Sequence, residues 1–255
     1  NHPDDTFVVA GIGCSGKIPQ WVHVNGFQGL HGRAVPPAQA VKLANHNLVV
    51  IAEGGDGDGY SEGMNHFIQA ARRNIDFTYI VHNNGVFALT TGQAATTARR
   101  GFVTPTTPHG VVEPPFMPAA LAIVSGATFV ARGYCGDVEQ LKDLYVAAIK
   151  HRGFALVDVL QICVTYNPTR GYKWFSERVY KLEEEDDHDP TDKDKALQLA
   201  LGAGQRDDDR LATGVFYQVK DVEILRDSLP QLEAGPLVEQ EIGKISVDHL
   251  MKELI

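Results

Sequence analysis

Short continuous apolar runs recur along the chain, and helical spacing fills the stretches between them. Residues 7–10 (FVVA), 48–52 (LVVIA), 77–81 (FTYIV), 128–131 (TFVA) and 154–160 (FALVDVL) are rich in β-branched or aromatic side chains and bounded by Gly, Asn or Asp. Runs of this kind read as strands buried on both faces. Between them, Met64, Phe67, Ile68 and Ala71 follow the i, i+3, i+4, i+7 pattern of a helix, with Ser61 as the expected N-cap. Val138, Leu141, Tyr145, Ala148 and Ile149 form a second stripe. Asp137 is placed to cap it, Gln140 stands at the capping-box position, and Gly153 follows a cationic end. Residues 34–44, 118–125 and 193–204 are further helix candidates. The expected class is α/β, a parallel sheet with helices on both faces. Ligands of such sheets bind beyond the carboxyl ends of the strands, so function is expected in the loops 11–17, 53–59, 82–93, 132–137 and 161–171.

Charge changes this picture only in the last third. Residues 1–180 hold 14 Lys or Arg against 13 Asp or Glu, whereas 181–210 hold 5 against 11 and 211–255 hold 4 against 8. A domain over 1–180 followed by an acidic C-terminal extension over 181–255 is therefore expected. The run 183–189 reads as a solvated linker and 215–255 as partly ordered tail. The net charge of −9 argues against nucleic acid as a partner. No window is apolar enough for a membrane span. Three cysteines, Cys14, Cys135 and Cys163, do not make a disulfide framework. A polar start without an apolar leader and a reduced cysteine set point to a cytoplasmic protein. The first residue is not Met, and the chain is expected to begin partway into its gene product.

Two familiar phosphate motifs are matched in form but not in context. Residues 11–17 (GIGCSGK) satisfy both G-x-G-x-x-G and G-x-x-x-x-G-K. A dinucleotide site wants an acidic residue ~20 positions later, and residues 17–52 contain no Asp or Glu. A P-loop wants Ser or Thr after its Lys to ligate Mg²⁺, where Ile18 stands here. The stronger signal is Gly55-Asp56-Gly57 after the second run and Asn83-Asn84 after the third. If those strands are neighbours, Asp56 and Asn84 converge as hard oxygen donors for Mg²⁺, and the flanking glycines let backbone amides approach a diphosphate. Taken singly, Asp56 and Asn84 also suit turns and caps.

This pairing resembles the thiamine-diphosphate-binding motif. With GLHGRA (29–34), NHFIQAARRNID (65–76), LTTGQ (89–93), TTPHG (106–110), ARGYCGD (131–137) and GFALVDVLQIC (153–163), the chain is similar to the β subunit of 2-oxoacid:ferredoxin oxidoreductases. The resemblance implies a thiamine-diphosphate-binding fold and CoA-dependent oxidative decarboxylation of a 2-oxoacid of the pyruvate or 2-oxoglutarate type, with electrons passed to ferredoxin. It implies that Asp56, Asn84 and the backbone oxygen of Val86 ligate Mg²⁺. Ile12, Gly13, Cys14, Ser15, His31, Gly57, Asp58, Ala88 and Leu89 line the cofactor, and Lys17 faces the substrate. Cys14 and Cys163 become two of four ligands to a [4Fe–4S] cluster, the other two being expected upstream of Asn1, and Cys135 a small core residue. An α subunit supplies the aminopyrimidine side of the cofactor. A non-oxidative thiamine-diphosphate decarboxylase or synthase subunit, or a non-catalytic assembly subunit of the same fold, are the alternative readings.

Overall fold

The computed structural model describes residues 2–202, 210–241 and 252. Among the described residues there are ten strands: β1 (Thr6–Ala10), β2 (Asn25–Gln28), β3 (Val49–Gly55), β4 (Thr78–Asn83), β5 (Val86–Phe87), β6 (Gln93–Ala94), β7 (Phe129–Tyr134), β8 (Ala155–Leu160), β9 (Val179–Lys181) and β10 (Leu211–Gln218). The α-helices named among the described residues are α1 (Val35–Ala44), α2 (Met64–Arg73), α3 (Pro118–Ser125), α4 (Val138–Lys150), α5 (Tyr172–Ser176) and α6 (Lys193–Gly202). All five apolar runs become strands, and they are the contiguous parallel centre of an eight-stranded sheet of order β2-β1-β3-β4-β8-β7-β10-β9. Strands β5 and β6 form a separate two-stranded ladder.

Alternate residues along the central strands face opposite layers. Tyr79 and Val81 join Val9, Val50 and Val130 in a core covered by α1, α2, α3 and α6. Ile80, Ala131, Val157 and Val159 face Leu144 and Ala148 of α4 on the other side. Both faces are dry, which is why the strands read as unbroken apolar runs. The one charge in those runs, Asp158, is fully buried. It accepts from the Arg132 Nε at 3.1 Å, the Tyr60 hydroxyl at 3.2 Å and the Asn83 side chain at 3.1 Å.

Local departures have local causes. Ser61 does not cap α2: residues Gly57–Glu62 wind as a π-helical turn, and α2 begins after Gly63. The Ser61 hydroxyl instead meets the Thr96 Oγ1 at 3.2 Å. Asp137 caps α4 by accepting from the Gln140 amide at 3.1 Å, but the Gln140 side chain leaves the cap for the Glu183 carboxylate at 2.7 Å. Strand β2 is exposed throughout, so it carries no apolar signature. Residues 215–218, expected in a partly ordered tail, lie in β10, antiparallel to β7. Gly214 in that strand has φ +119°, and a Cβ there meets the Glu183 carboxylate at 2.7 Å. The pairing with β7 also shifts register between Val215 and Tyr217. A glycine and a bulge inside the strand hide its alternation. Residues 203–204 of the expected 193–204 helix lie outside the described residues.

Candidate cofactor site

The parallel register brings four strand ends side by side. Ala10 of β1 pairs with Glu53 of β3, Gly55 with His82 of β4, and Asn83 with Leu160 of β8. The loops that follow enclose a cavity of about 320 Å³. Its lining includes Ile12, Gly13, Cys14 and Ser15 after β1, Asp56, Gly57 and Asp58 after β3, and Asn84, Val86, Ala88 and Leu89 after β4. Cys163 after β8 and His31 complete the set. The structure therefore gathers the residues singled out from the sequence round one cavity, with the exception of Lys17. That residue is exposed on the 3₁₀ turn Ser15–Gln20 and is not part of the lining.

Asp56 is 1% exposed. It accepts from the Gly85 amide at 2.9 Å, the Asn84 amide at 3.4 Å and the Thr97 hydroxyl. Burial pushes its pKa up to about 6, against the lowering effect of those hydrogen bonds. The Asn84 side-chain oxygen accepts from the Val86 amide at 3.0 Å, and its carbonyl accepts from the Asn167 side chain at 3.0 Å. Asp58 ties two loops together, accepting from the Ile12 amide at 3.0 Å and the Gly32 amide at 2.7 Å. Its carboxylate fills space that only glycine leaves open: a Cβ on Gly11 falls 1.9 Å, and one on Gly54 2.9 Å, from the Asp58 Oδ2. Burial raises the Asp58 pKa, opposed by the two amides.

The chain's own atoms fit a diphosphate with a divalent cation. A buried carboxylate carrying a desolvation penalty is stabilised by a cation placed beside it. The Asp56 carboxylate, the Asn84 side-chain oxygen and the Val86 carbonyl are hard oxygen donors of the kind Mg²⁺ takes. Gly13 has φ +144° with no atom within 4 Å of a built Cβ, and a Cβ on Gly55 meets nothing nearer than 3.7 Å. Backbone of both loops thus faces open space from which an anion can reach amides. Among the described residues the buried Asp58 Oδ2 and His31 Nδ1 have no hydrogen-bond partner, and the His31 Nδ1 stands 3.4 Å from the Asp58 Oδ1. Among the described residues no group of three or more His, Cys, Asp or Glu is placed to hold a metal; the candidate set is a mixed one of carboxylate, amide and carbonyl.

All three thiols are free. Cys14 is exposed at the cavity, and Cys163, also in the lining, accepts from the Tyr166 amide at 3.4 Å. Cys135 packs between two apolar clusters, and burial raises its pKa.

Three further groups stand here that are not among the expected site residues. His82 lines the cavity, its Nε2 3.0 Å from the Glu53 carboxylate and its Nδ1 3.4 Å from the Gln161 side-chain oxygen. Burial raises the Glu53 pKa. Burial also works against the His82 cation, but the hydrogen bond and charge of Glu53 outweigh it and raise the imidazole pKa. His82 stands directly before Asn83-Asn84, and that position was the available signal. Thr97 lies 41 residues beyond Asp56, in a segment without periodicity, and had no such signal.

A parallel sheet whose adjacent strand ends hold GDG and NN around one cavity defines a thiamine-diphosphate-binding protein. Residues 11–159 match the family described as thiamine pyrophosphate enzyme, C-terminal TPP binding domain. Residues 163–234 match the family described as the C-terminal part of the pyruvate ferredoxin oxidoreductase beta subunit. The chain is 44% identical to the 2-oxoacid:ferredoxin oxidoreductase subunit beta of Sulfolobus sp, over 96% of this chain and 86% of that one. It is 47% identical to the protein of the same name from Saccharolobus solfataricus, over 85% and 73% of the two chains. Among solved structures it is similar to a 2-oxoglutarate:ferredoxin oxidoreductase from Magnetococcus marinus, solved with 2-oxoglutarate, coenzyme A and succinyl-CoA bound, with TM-score 0.87 and 30% identity over 99% and 84% of the chains. The chain belongs to the family of 2-oxoacid:ferredoxin oxidoreductase β subunits. Among the described residues no helix is long and apolar enough to cross a membrane.

Proposed function

We propose that this chain is the β subunit of a CoA-dependent 2-oxoacid:ferredoxin oxidoreductase and holds the diphosphate half of thiamine diphosphate through Mg²⁺. The observation that carries the reading is the convergence of Asp56, Asn84 and Val86 with the loop Ile12–Ser15 and two free thiols round one cavity. Bound there, thiamine diphosphate supplies a carbanion for the keto carbon and an electron sink as CO₂ leaves. The chain's own residues bind and orient. Asp56, the Asn84 side chain and the Val86 carbonyl hold the metal, and the amides of residues 12–15 face the phosphates. The His31 ring, 5.8 Å from that of Phe87 and stacked on it, walls the site. Lys17, exposed on the turn after the loop Ile12–Ser15, is the cation assigned to the substrate carboxylate. Cys14 and Cys163 are soft donors suited to an iron–sulfur cluster. The aminopyrimidine side is closed by an α subunit, and ferredoxin takes the electrons.

Asp56→Ala tests the assignment. Calorimetric titration of the assembled complex with thiamine diphosphate and Mg²⁺ should show binding lost or weakened by at least 10²-fold, about 3 kcal/mol, together with loss of turnover. Unchanged affinity in that variant overturns the metal assignment.

A further inference from the structure

Residues 18–32 contain no Asp, Glu, Lys or Arg. By composition such a stretch belongs inside a protein, yet this one runs along the outside. Trp21 and Leu30, 80% and 77% exposed, are the most exposed large hydrophobic side chains among the described residues, and Val22 and Phe27 are exposed with them. Hydrophobic side chains exposed singly are ordinary. Four within ten positions, with no charge among them, mark a surface that another molecule covers.

The same stretch forms one edge of the sheet. Strand β2 is the outermost, paired with β1, and all four of its residues are exposed. A sheet edge recruits other chains unless charge, proline or a covering segment protects it. The opposite edge is protected in this way: β9 ends in Lys181, which meets Asp137 at 2.7 Å, and the Arg210 guanidinium lies 4.1 Å from the centroid of the Tyr180 ring. Strand β2 has no charged residue of its own, but it is held in place. The turn Ser15–Gln20 packs against it so closely that a Cβ on Gly26 meets the Pro19 Cβ at 3.0 Å. The Asn25 side chain donates to the Asp4 carbonyl at 3.0 Å. The exposed apolar surface is therefore a formed one.

Its position identifies what covers it. The stretch leaves the cofactor cavity at one end and returns to it at the other. Ser15 lines the cavity and opens the turn that runs to Trp21, while Leu30 stands directly before His31, which lines the cavity too. The return is fixed: the Gly29 amide donates to the Ala10 carbonyl at 2.8 Å, and the Gly32 amide to the Asp58 carboxylate at 2.7 Å. A subunit that closes the cavity on this side meets both ends of the stretch. We infer that residues 18–30, anchored by Trp21 and Leu30, dock the α subunit through an apolar, uncharged face of that subunit, continuous with its contact at the cavity. The inference rests on the reading that an α subunit closes the cofactor site, and adds where that subunit is held and by what chemistry. An ionised group set against this surface would lose its water without gaining a partner, so the matching face is apolar. A buried Trp carries a large share of the energy of such a contact, and a contact without charge is not screened by salt.

The test uses the complete complex. Hydroxyl-radical footprinting of the wild-type complex, read by mass spectrometry, should oxidise Trp21 about tenfold more slowly than in a free peptide of residues 15–33. Benzoylphenylalanine in place of Leu30 should photo-crosslink to the α subunit. In analytical ultracentrifugation Trp21→Ser should raise the dissociation constant of the two subunits by about 10²-fold or more, and the wild-type constant should not weaken as salt is raised. Oxidation of Trp21 at the free-peptide rate overturns the docking face, and this measurement decides even where Trp21→Ser fails to fold. An unchanged dissociation constant in Trp21→Ser also overturns it. A crosslink from position 30 to a second copy of this chain overturns the choice of partner. A complex in which the α subunit protects Trp21 but no 2-oxoacid reduces ferredoxin overturns the oxidoreductase reading and leaves the docking face standing.

Discussion

Lys17 is set apart from the other site residues by its position. The rest line the cavity, whereas Lys17 stands exposed on the turn that follows them. A flexible ammonium two residues beyond Ser15 of the lining suits a carboxylate that is later lost as neutral CO₂, a task for a point charge more than for a bidentate guanidinium. In the full complex, Lys17→Ala should lower kcat/KM for the 2-oxoacid by about 10²-fold while thiamine diphosphate affinity changes little. Steady-state kinetics beside a cofactor titration reads both, and an unchanged kcat/KM removes Lys17 from the substrate's path. The cysteines divide by the same criterion. Cys163→Ser should abolish the iron–sulfur resonance of the reduced complex, whereas Cys135→Ser, between two apolar clusters, should leave it intact. A normal spectrum from the Cys163 variant defeats that assignment. At this scale the site was legible where short motifs carry the chemistry, as with Asp56 in Gly55-Asp56-Gly57 and Asn84 in Asn83-Asn84. It was not legible where a residue acts through packing or through a partner distant in sequence. Thr97 reaches Asp56 across 41 positions, and Glu53 and His82 meet only because β3 and β4 pair in register.

Within the sheet, Asp158 makes the strand ends into a fixed frame. One oxygen takes the Tyr60 hydroxyl from the π-helical turn and the Asn83 side chain from the end of β4, and the other takes Arg132 from β7. The loops after β3 and β4 are thus indexed to one buried carboxylate, two residues from the end of β8. A lone acid inside an otherwise apolar strand was visible in FALVDVL, but its three partners lie on three separate elements and nothing in the local pattern names them. Asp158→Ala leaves the Arg132 guanidinium, 6% exposed, buried without its counter-charge. Removing one member of a buried pair costs ~3–5 kcal/mol, whereas replacing both by apolar groups is often close to neutral. The urea midpoint followed by circular dichroism should therefore fall sharply for Asp158→Ala and recover in the double variant with Arg132→Met. Equal loss in the single and double variants contradicts this account. Element boundaries followed the same logic. The apolar runs gave β1, β3, β4, β7 and β8 because both faces of those strands are covered, and β2 escaped because neither face is.

Across the whole molecule, charge and architecture divide the chain differently. Acidity begins near residue 181, and residues 163–234 match a family description separate from that of 11–159. The sheet does not stop at either place: β10 inserts between β7 and β9 and runs antiparallel to β7. A strand in that position cannot be removed without opening the edge of β7 to water and uncovering the side chains packed on it. Leu211, Ala212, Phe216 and Tyr217 of β10 are all buried. At ~1.5–3 kcal/mol for each large apolar side chain, their loss approaches the ~5–15 kcal/mol of net stability typical of a domain. The His188 ring, 2.7 Å from the Val215 carbonyl, also fastens the acidic segment to the same strand. A chain ended at residue 181 should therefore fail to fold: size exclusion should show aggregate, and thermal melts should lack a cooperative transition. Restoring residues through 241 should recover both. A soluble, cooperatively melting 1–181 fragment would instead show the acidic extension to be an accessory to a self-sufficient cofactor domain, with β10 free to leave a sheet that stands without it.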